Sequence, residues 1–410
     1  MHNWAGYVTF VTKQHERTKK TMQKTTLSSV HFADTKPHYE LLDGLRGVAA
    51  LLVLWYHIFE GFAFAQATNG AGDGLITTLN HGHIAVDFFF MLSGFVISYA
   101  YDDRWSKMSI GGFFKRRLIR LHPMLVMGAV IGAIAFFTEG CKQWNGTTTP
   151  TNWVMIATLL TMFMIPALPG APHEIRGNGE MFPLNGPTWS LWFEYIGNIL
   201  YALFIRRLPT KALALLAVAL GVAHAWFFVG NISGYDMVGV GWTIDSINIW
   251  GGLVRMLFPF TVGMLLARTF KPSKVRGAFW ICTLLLVAVF SVPYIASTGT
   301  ASINSLYEFL CIALLFPAIV WVGACGGCSD NVTGRINKFL GDISYPLYIV
   351  HYPIMYIFYK WLIEKKLYTL GETWGVAVMV IIVSILLAYA SLKLYDEPVR
   401  RFLAKKFLMR

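Results

Sequence analysis

Long apolar runs alternate with short polar connections along almost the whole chain. Ten of the runs are about as long as a helix that crosses a bilayer. They lie at 41–62, 83–101, 117–138, 188–205, 211–230, 249–268, 278–296, 303–324, 343–362 and 373–395. The pattern predicts an all-α polytopic membrane protein with about ten transmembrane helices.

An eleventh apolar stretch, 152–167, is short and runs into Pro166 and Pro169. If it does not cross, the connections rich in Lys and Arg all fall on the side of the N-terminus. If it crossed, every later basic connection would move to the outside, against the positive-inside rule. We therefore predict that it is re-entrant or interfacial and that both chain termini are cytoplasmic.

Composition agrees with a membrane protein, since 55% of the residues are hydrophobic and only 14% are charged. The formal charge of +12 does not indicate nucleic-acid binding, because the basic residues cluster between apolar runs and orient them. The five cysteines form no disulfide framework, and the CxxC at Cys325 and Cys328 has no second ligand pair. We predict no metal site and no nucleic-acid partner.

Three regions follow from the polarity of the sequence. Residues 1–38 are polar and basic, and no apolar core follows the charges closely enough for a cleavable signal peptide. We expect a cytoplasmic tail there, a membrane domain at 39–402 and a short basic cytoplasmic tail at 403–410.

The first span carries two ionisable side chains on one face. Arg46 and His57 are eleven residues apart, so they point about 20° apart around a helix and lie about 16 Å apart along it. Ionisable groups within a membrane are costly and usually functional, and His suits proton transfer near neutral pH. The alternative is that His57 only bonds a neighbouring helix.

Four further ionisable residues are predicted at a depth similar to that of His57. They are Asp87, Glu194, Arg255 and Glu308. Together the five groups suggest one polar cavity that opens outward, although structural pairs such as Glu308 with Arg255 are the alternative. We take Asp87, Arg255, Glu308 and Trp189 as candidate contacts to the substrate.

A second cluster of charge opens the third span on the cytoplasmic side. Arg116, Arg117 and Arg120 lie within FFKRRLIRLHP, and Arg117 and Arg120 share one helix face. Guanidinium groups bind phosphate oxygens through two parallel hydrogen bonds, although they also anchor helices to lipid headgroups. These arginines are candidates for binding a phosphorylated donor.

Joined together, the two clusters suggest a reaction across the membrane. Acetyl-CoA or another acyl-CoA is a suitable donor, because basic residues at the entrance could bind its phosphates and its long pantetheine arm could reach His57. The imidazole of His57 would act as a general base on an acceptor hydroxyl, and Glu194 would orient it or accept a proton.

Six sequence blocks, in order, resemble the acyltransferase-3 family of membrane acyltransferases. They are LDGLRGVAALLVLWYH, VDFFFMLSGFVISY, RRLIRLHP, PTWSLWFEYIGNILY, ISYPLYIVHYPIM and DEPVRRF. The resemblance covers about 41–402, nearly the whole chain.

The resemblance implies O-acylation of an extracytoplasmic glycan or a small molecule by cytoplasmic acyl-CoA. By position, Arg46 and His57 match the family's essential pair, Arg117 and Arg120 match its Arg-x-x-Arg element, and Glu194 matches its acidic residue. Because the chain ends about fifteen residues after the last span, we expect no fused esterase-like domain.

The resulting hypothesis is an O-acetyltransferase of the bacterial inner membrane that modifies a glycan or glycolipid. A small hydroxylated acceptor such as a macrolide, and an acyl-imidazole intermediate on His57, are alternatives. A transporter or flippase is the competing class. His351 could be a second histidine of the site, although its surroundings suggest a structural role, and the sequence leaves a homodimer open.

Overall fold

The computed structural model describes residues 39–72, 79–271, 273–295, 301–326 and 330–408, which contain eleven main helices and no β-strand. The helices are α1 (Glu40–Thr68), α2 (Ala85–Tyr101), α3 (Ile110–Thr138), α4 (Thr151–Met162), α5 (Thr188–Leu203), α6 (Thr210–Phe228), α7 (Ser246–Thr269), α8 (Ala278–Phe290), α9 (Ile303–Cys325), α10 (Asn331–Lys365) and α11 (Leu370–Phe407). Each predicted apolar stretch coincides with one helix. The predicted tail 1–38 and Cys328 lie outside the described residues.

Seven of these helices are long and apolar enough to cross a membrane: α1, α2 with the turn before it, α3, α6, α7, α9 and α11. The helices α5 and α8 are shorter, with 16 and 13 residues. Helix α10 is long enough, with 35 residues, but its five tyrosines and one histidine lower its hydropathy. The prediction of an all-α polytopic membrane protein is confirmed, whereas the number of ten spans remains a prediction.

Helix α4 has the properties of a segment that lies at an interface. Its twelve residues extend about 18 Å, well short of a hydrocarbon core of about 30 Å. Val154 and Ala157 pack against Phe136 of α3, whereas Met155 and Leu159 are exposed. One face of α4 is therefore covered by protein and the other is apolar and uncovered, which supports an interfacial position.

The packing of α1 along α10 positions both charged residues of α1. A Cβ atom on Gly47 would lie 2.2 Å from the carbonyl oxygen of Leu340, so only glycine permits the close contact of the two helices. Along this contact, Arg46 Nε donates to Ser344 Oγ at 2.9 Å. Further along, the rings of His57 and His351 meet.

Helices α2 and α7 cross through a reciprocal pair of glycines. A Cβ on Gly94 would lie 2.0 Å from the carbonyl oxygen of Phe260, and a Cβ on Gly263 would lie 2.0 Å from that of Met91. Such contacts between backbones are typical of helix pairs in membranes, where small residues let van der Waals packing hold the helices together.

We expect Gly94→Ala to lower the melting temperature of the detergent-purified protein, because the new methyl group must push α2 and α7 apart. Overpacking of this kind costs about 1–3 kcal/mol. The matched control is Gly375→Ala, which places the methyl group in open space on α11. Equal melting temperatures for the two variants would contradict the close crossing.

Candidate active site

His57 is held by a carboxylate on its own helix. Its Nδ1 lies 2.6 Å from Oε2 of Glu60, three residues further along α1. A carboxylate only accepts hydrogen bonds, so Nδ1 carries the proton and Nε2 of the neutral ring keeps its lone pair. The side chain of His57 is 12% exposed and that of Glu60 is 30% exposed. The pair is therefore oriented by protein and keeps part of its surface accessible.

Tyrosines of α10 hold Glu60 in turn. The hydroxyl of Tyr359 donates to Glu60 Oε2 at 2.7 Å and lies 2.8 Å from the carbonyl oxygen of His57. The hydroxyl of Tyr352 lies 3.4 Å from the same Glu60 oxygen, and its ring meets the His57 ring edge-on. These contacts fix the carboxylate against the imidazole.

The carboxylate that contacts His57 is thus Glu60 and not Glu194. Glu194 was expected in this role, but its Oε1 accepts hydrogen bonds from Arg117 Nη2 at 2.7 Å and Ser93 Oγ at 2.8 Å. Glu60 was detectable in the sequence, because residues three apart lie on one helix face.

The ring of His351 stacks on that of His57, with ring centroids 5.3 Å apart and planes inclined by 29°. Its Nδ1 lies 2.9 Å from the carbonyl oxygen of Leu347 and donates to it. Its Nε2 is buried and has no hydrogen-bond partner among the residues that the structure describes. The side chain is 1% exposed. His351 therefore belongs to the surroundings of His57.

A second group of charges gathers near the start of α1. Arg46 bonds Asp43 at 3.1 Å, and its charge is offset by Glu194 and opposed by the positive charges of Arg117 and Arg120. The contacts among these groups are Arg46 with Asp43 and Arg117 with Glu194, and Arg120 acts on Arg46 through its charge.

Arg117 reaches Glu194 because α3 begins earlier than expected. The sequence placed the start of this span at 117, but the helix begins at Ile110, so Arg117 lies two turns inside it. It is buried. Arg120, one turn further along α3, is exposed, and among the described residues its side chain has no hydrogen bond or ion pair within contact distance. Arg116 instead donates to the carbonyl of Gly112 on its own helix at 2.9 Å.

Asp87 and Arg255 form a buried ion pair between α2 and α7. Arg255 Nη2 and Asp87 Oδ2 are 3.0 Å apart, and the two side chains are 3% and 0% exposed. The guanidinium also donates to the carbonyls of Val240 and His83 and lies 5.0 Å from the centre of the Trp189 ring. Each polar group has a partner within the protein. The expected contact of Asp87, Arg255 and Trp189 with a substrate gains no support from this geometry.

Glu308 on α9 is also fully buried and is not paired with Arg255. It accepts from His81 Nδ1 at 2.7 Å, from the Tyr294 hydroxyl at 2.7 Å and from the Val238 amide at 2.6 Å. His83 Nε2 lies 3.2 Å away. This carboxylate therefore accepts hydrogen bonds from three connections between helices. Such contacts support a structural role for Glu308 rather than contact with a substrate.

The sequence predicted that the five ionisable groups line one cavity. The structure instead divides them into two sets. Asp87, Arg255 and Glu308 are saturated by partners inside the protein, whereas His57 and Glu194 remain partly exposed, the latter at 22%. Reacting groups must be reachable, so the candidate site consists of the His57–Glu60 pair and the arginine cluster.

The connection between α3 and α5 packs on the C-terminal half of α10. Arg176 bonds Glu139 at 2.8 Å, and its guanidinium carbon lies 3.5 Å from the centre of the Tyr356 ring. Glu180 accepts from the Tyr356 hydroxyl, and burial raises the pKa of this carboxyl to about 7. Asn185 donates to the carbonyl of Ile349, the carbonyl that Pro353 leaves without a helical partner. The connection is thus fixed to the helix that carries His351.

No group of three His, Cys, Asp or Glu side chains within the described ranges could hold a metal ion. The chemistry that this site offers consists of a carboxylate-held imidazole for proton transfer and guanidinium groups for an anion.

A family model described as an acyltransferase domain matches residues 39–392. No solved structure matches the chain.

Several curated proteins are similar to it. The acyltransferase MdmB of Streptomyces mycarofaciens is 27% identical over 77% of this chain and 78% of its own. Protein 2 in the picA locus of Rhizobium radiobacter is 33% identical over 46% of this chain and 95% of its own. The peptidoglycan O-acetyltransferase OatA of Listeria monocytogenes is 24% identical over 77% of this chain. The match spans about half (49%) of the length of OatA.

We expect Arg255→Met to destabilise the protein strongly, because it leaves the Asp87 carboxylate buried without its partner. Breaking a buried pair costs about 3–5 kcal/mol, whereas replacing both partners by apolar residues costs much less. Thermal melting in detergent should therefore show that Asp87→Leu combined with Arg255→Met recovers part of the loss. Normal melting of Arg255→Met with loss of acceptor binding would instead restore the substrate-contact hypothesis.

Proposed function

This chain belongs to the acyltransferase-3 family, as its six motifs indicated, and from this premise we propose that it is an integral membrane O-acetyltransferase. It transfers the acetyl group of cytoplasmic acetyl-CoA to a hydroxyl of an extracytoplasmic glycan or glycolipid. The single observation that carries the proposal is the oriented, partly exposed His57–Glu60 pair on the same helix as Arg46.

The arginine cluster supports a donor that carries phosphates. Arg117 and Arg120 oppose the charge of Arg46, whereas Asp43 and Glu194 offset it, and Asp396 interacts with Arg120. A bound phosphate adds negative charge next to these guanidinium groups, which bind phosphate oxygens in a fixed, two-pronged geometry. The exposure of Arg120 leaves it open to such a ligand.

Arg46 and His57, which belong to the two parts of the site, lie at different positions along α1. Arg46 and His57 are eleven residues apart on α1, or about 16 Å. Acetyl-CoA has its phosphates and its thioester at opposite ends of a long, flexible pantetheine arm. A donor of this shape can bind the arginines and present its thioester carbonyl to the region of His57.

The reaction needs a base that can hold a proton briefly. His57 Nε2 takes the proton of the acceptor hydroxyl while the oxygen attacks the thioester carbonyl. The tetrahedral intermediate then breaks its C–S bond, and the departing CoA sulfur receives the proton from Nε2. Glu60 stabilises the imidazolium that forms between these steps, as carboxylates paired with histidine do in other acyl transfers.

An acetyl-imidazole on the same nitrogen is the alternative path. The two paths differ when no acceptor is present: an acetyl-imidazole releases one CoA for each protein molecule, whereas direct transfer releases none. A rapid burst of free CoA without acceptor identifies the covalent path.

The chemical class of the acceptor is proposed from the names of related proteins. The Listeria protein is named a peptidoglycan O-acetyltransferase, which supports a glycan outside the membrane. A small hydroxylated compound such as a macrolide is the second candidate acceptor, and the similarity to a Streptomyces acyltransferase over 78% of that protein supports testing it. Membrane extract and purified macrolides are therefore separate arms of the assay.

We expect the purified protein to release CoA from acetyl-CoA when a membrane glycan extract is present. His57→Ala should lower the rate by about 10²–10⁴-fold, because the general base is lost. Arg120→Ala should raise the KM for acetyl-CoA by about tenfold, because a bond to a charged phosphate is lost. The matched control is Arg207→Ala, an exposed arginine on the same predicted side of the membrane.

Absence of binding across several acyl-CoA compounds would overturn this proposal and favour a transporter. Binding of acetyl-CoA that Arg120→Ala and Arg207→Ala weaken equally would remove the arginine cluster from the donor site.

Glu60→Gln should lower kcat by about 10²-fold or more while leaving the Kd for acetyl-CoA unchanged, because the neutral amide does not stabilise the imidazolium and its NH2 group can donate to Nδ1, which favours the wrong tautomer. Glu194→Gln should instead change the KM for acetyl-CoA, because it frees Arg117. An equal kcat for Glu60→Gln and wild type would remove Glu60 from the catalytic pair.

A further inference from the structure

The unused nitrogen of His351 is the strongest unexplained feature near His57. It is fully buried, in a side chain that is 1% exposed, and it has no partner among the described residues. A buried polar atom without a partner is costly, and native proteins keep such atoms mainly where a ligand or a water satisfies them. Nothing in the reaction described above uses it.

The chemical character of this nitrogen is set by its ring. Because Nδ1 donates to the carbonyl of Leu347 at 2.9 Å, Nε2 of the neutral imidazole is an acceptor only. It can therefore bind a hydroxyl, an amine or an amide N–H, but it cannot bind an ether or carbonyl oxygen.

The position of this acceptor is tied to that of the base. The His57 and His351 rings stack 5.3 Å apart, and each ring has its Nδ1 fixed, by Glu60 in one case and by Leu347 in the other. The site thus holds two lone-pair nitrogens on adjacent rings, only one of which is needed for deprotonation.

We propose that the acceptor presents two hydroxyl groups close together, one to His57 Nε2 and the other to His351 Nε2. The first hydroxyl is acetylated, and the second donates a hydrogen bond that positions the first. This inference rests on the function proposed above and narrows it to polyols, such as sugar rings with free neighbouring hydroxyls. An acceptor in which the second hydroxyl is an ether cannot make the bond.

The test compares 1,2-ethanediol with 2-methoxyethanol as acceptors for acetyl-CoA. The two compounds share one primary hydroxyl and differ in whether the second oxygen can donate. CoA release and the acetyl ester are measured for wild type, His351→Phe and His351→Gln. For wild type we expect kcat/KM to be at least about tenfold higher with the diol, since a site left with an unpaired buried polar atom discriminates strongly.

His351→Phe should bring the ratio of kcat/KM for 1,2-ethanediol to kcat/KM for 2-methoxyethanol close to one. His351→Gln, whose amide oxygen can accept a hydrogen bond, should retain part of this preference for the diol. Acetyl-CoA binding and melting temperature show whether the variants remain folded, and the ratio does not depend on how much active protein is present. Equal use of both compounds by wild type, or an unchanged ratio in His351→Phe, overturns the inference. Wild type that turns over neither compound nor the glycan extract overturns the proposed function itself.

Discussion

Removing a charged side chain from water costs several kcal/mol unless a partner is supplied, and this constraint separates the ionisable groups that the sequence singled out. Asp87 with Arg255, and Glu308 with His81, are buried and saturated, and they hold connections and helices together. His57, Glu60 and Arg120 retain exposure or unpaired atoms, which is tolerable only where a ligand or water completes them. The division between structural and reactive groups is therefore visible in how completely each group is partnered.

The reactive groups depend on the contact between α1 and α10. Gly47 allows the two backbones to approach, and this approach brings Ser344 to Arg46 and Tyr359 to Glu60. Two of the five tyrosines of α10, Tyr352 and Tyr359, lie within hydrogen-bond distance of Glu60. The tyrosines also lower the hydropathy of α10, so the residues that keep it out of the set of seven long apolar helices include those that hold Glu60.

The sequence predicted the helices well because length and hydropathy alone determine them. It located Arg46 and His57 correctly on one helix, since their spacing is a property of α1 itself. Partners across helices were less accessible: Glu194 was assigned by depth, and the early start of α3 at Ile110 moved Arg117 inward to meet it. The Asp87–Arg255 pair and the two histidines on Glu308 join residues more than a hundred positions apart, and no local pattern encodes such contacts.

The unbroken helix α1 fixes the distance between the two parts of the proposed site. Under the proposed function, its first turns hold the phosphates of the donor and its later turns hold the reacting nitrogen, so the distance between them cannot adjust to a shorter donor. Acetyl phosphate carries a phosphate and an activated acetyl group directly bonded to each other. Held at Arg46, it would leave its acetyl group about 16 Å from His57. On this proposal α1 selects donors by their length, independently of how reactive their acyl group is.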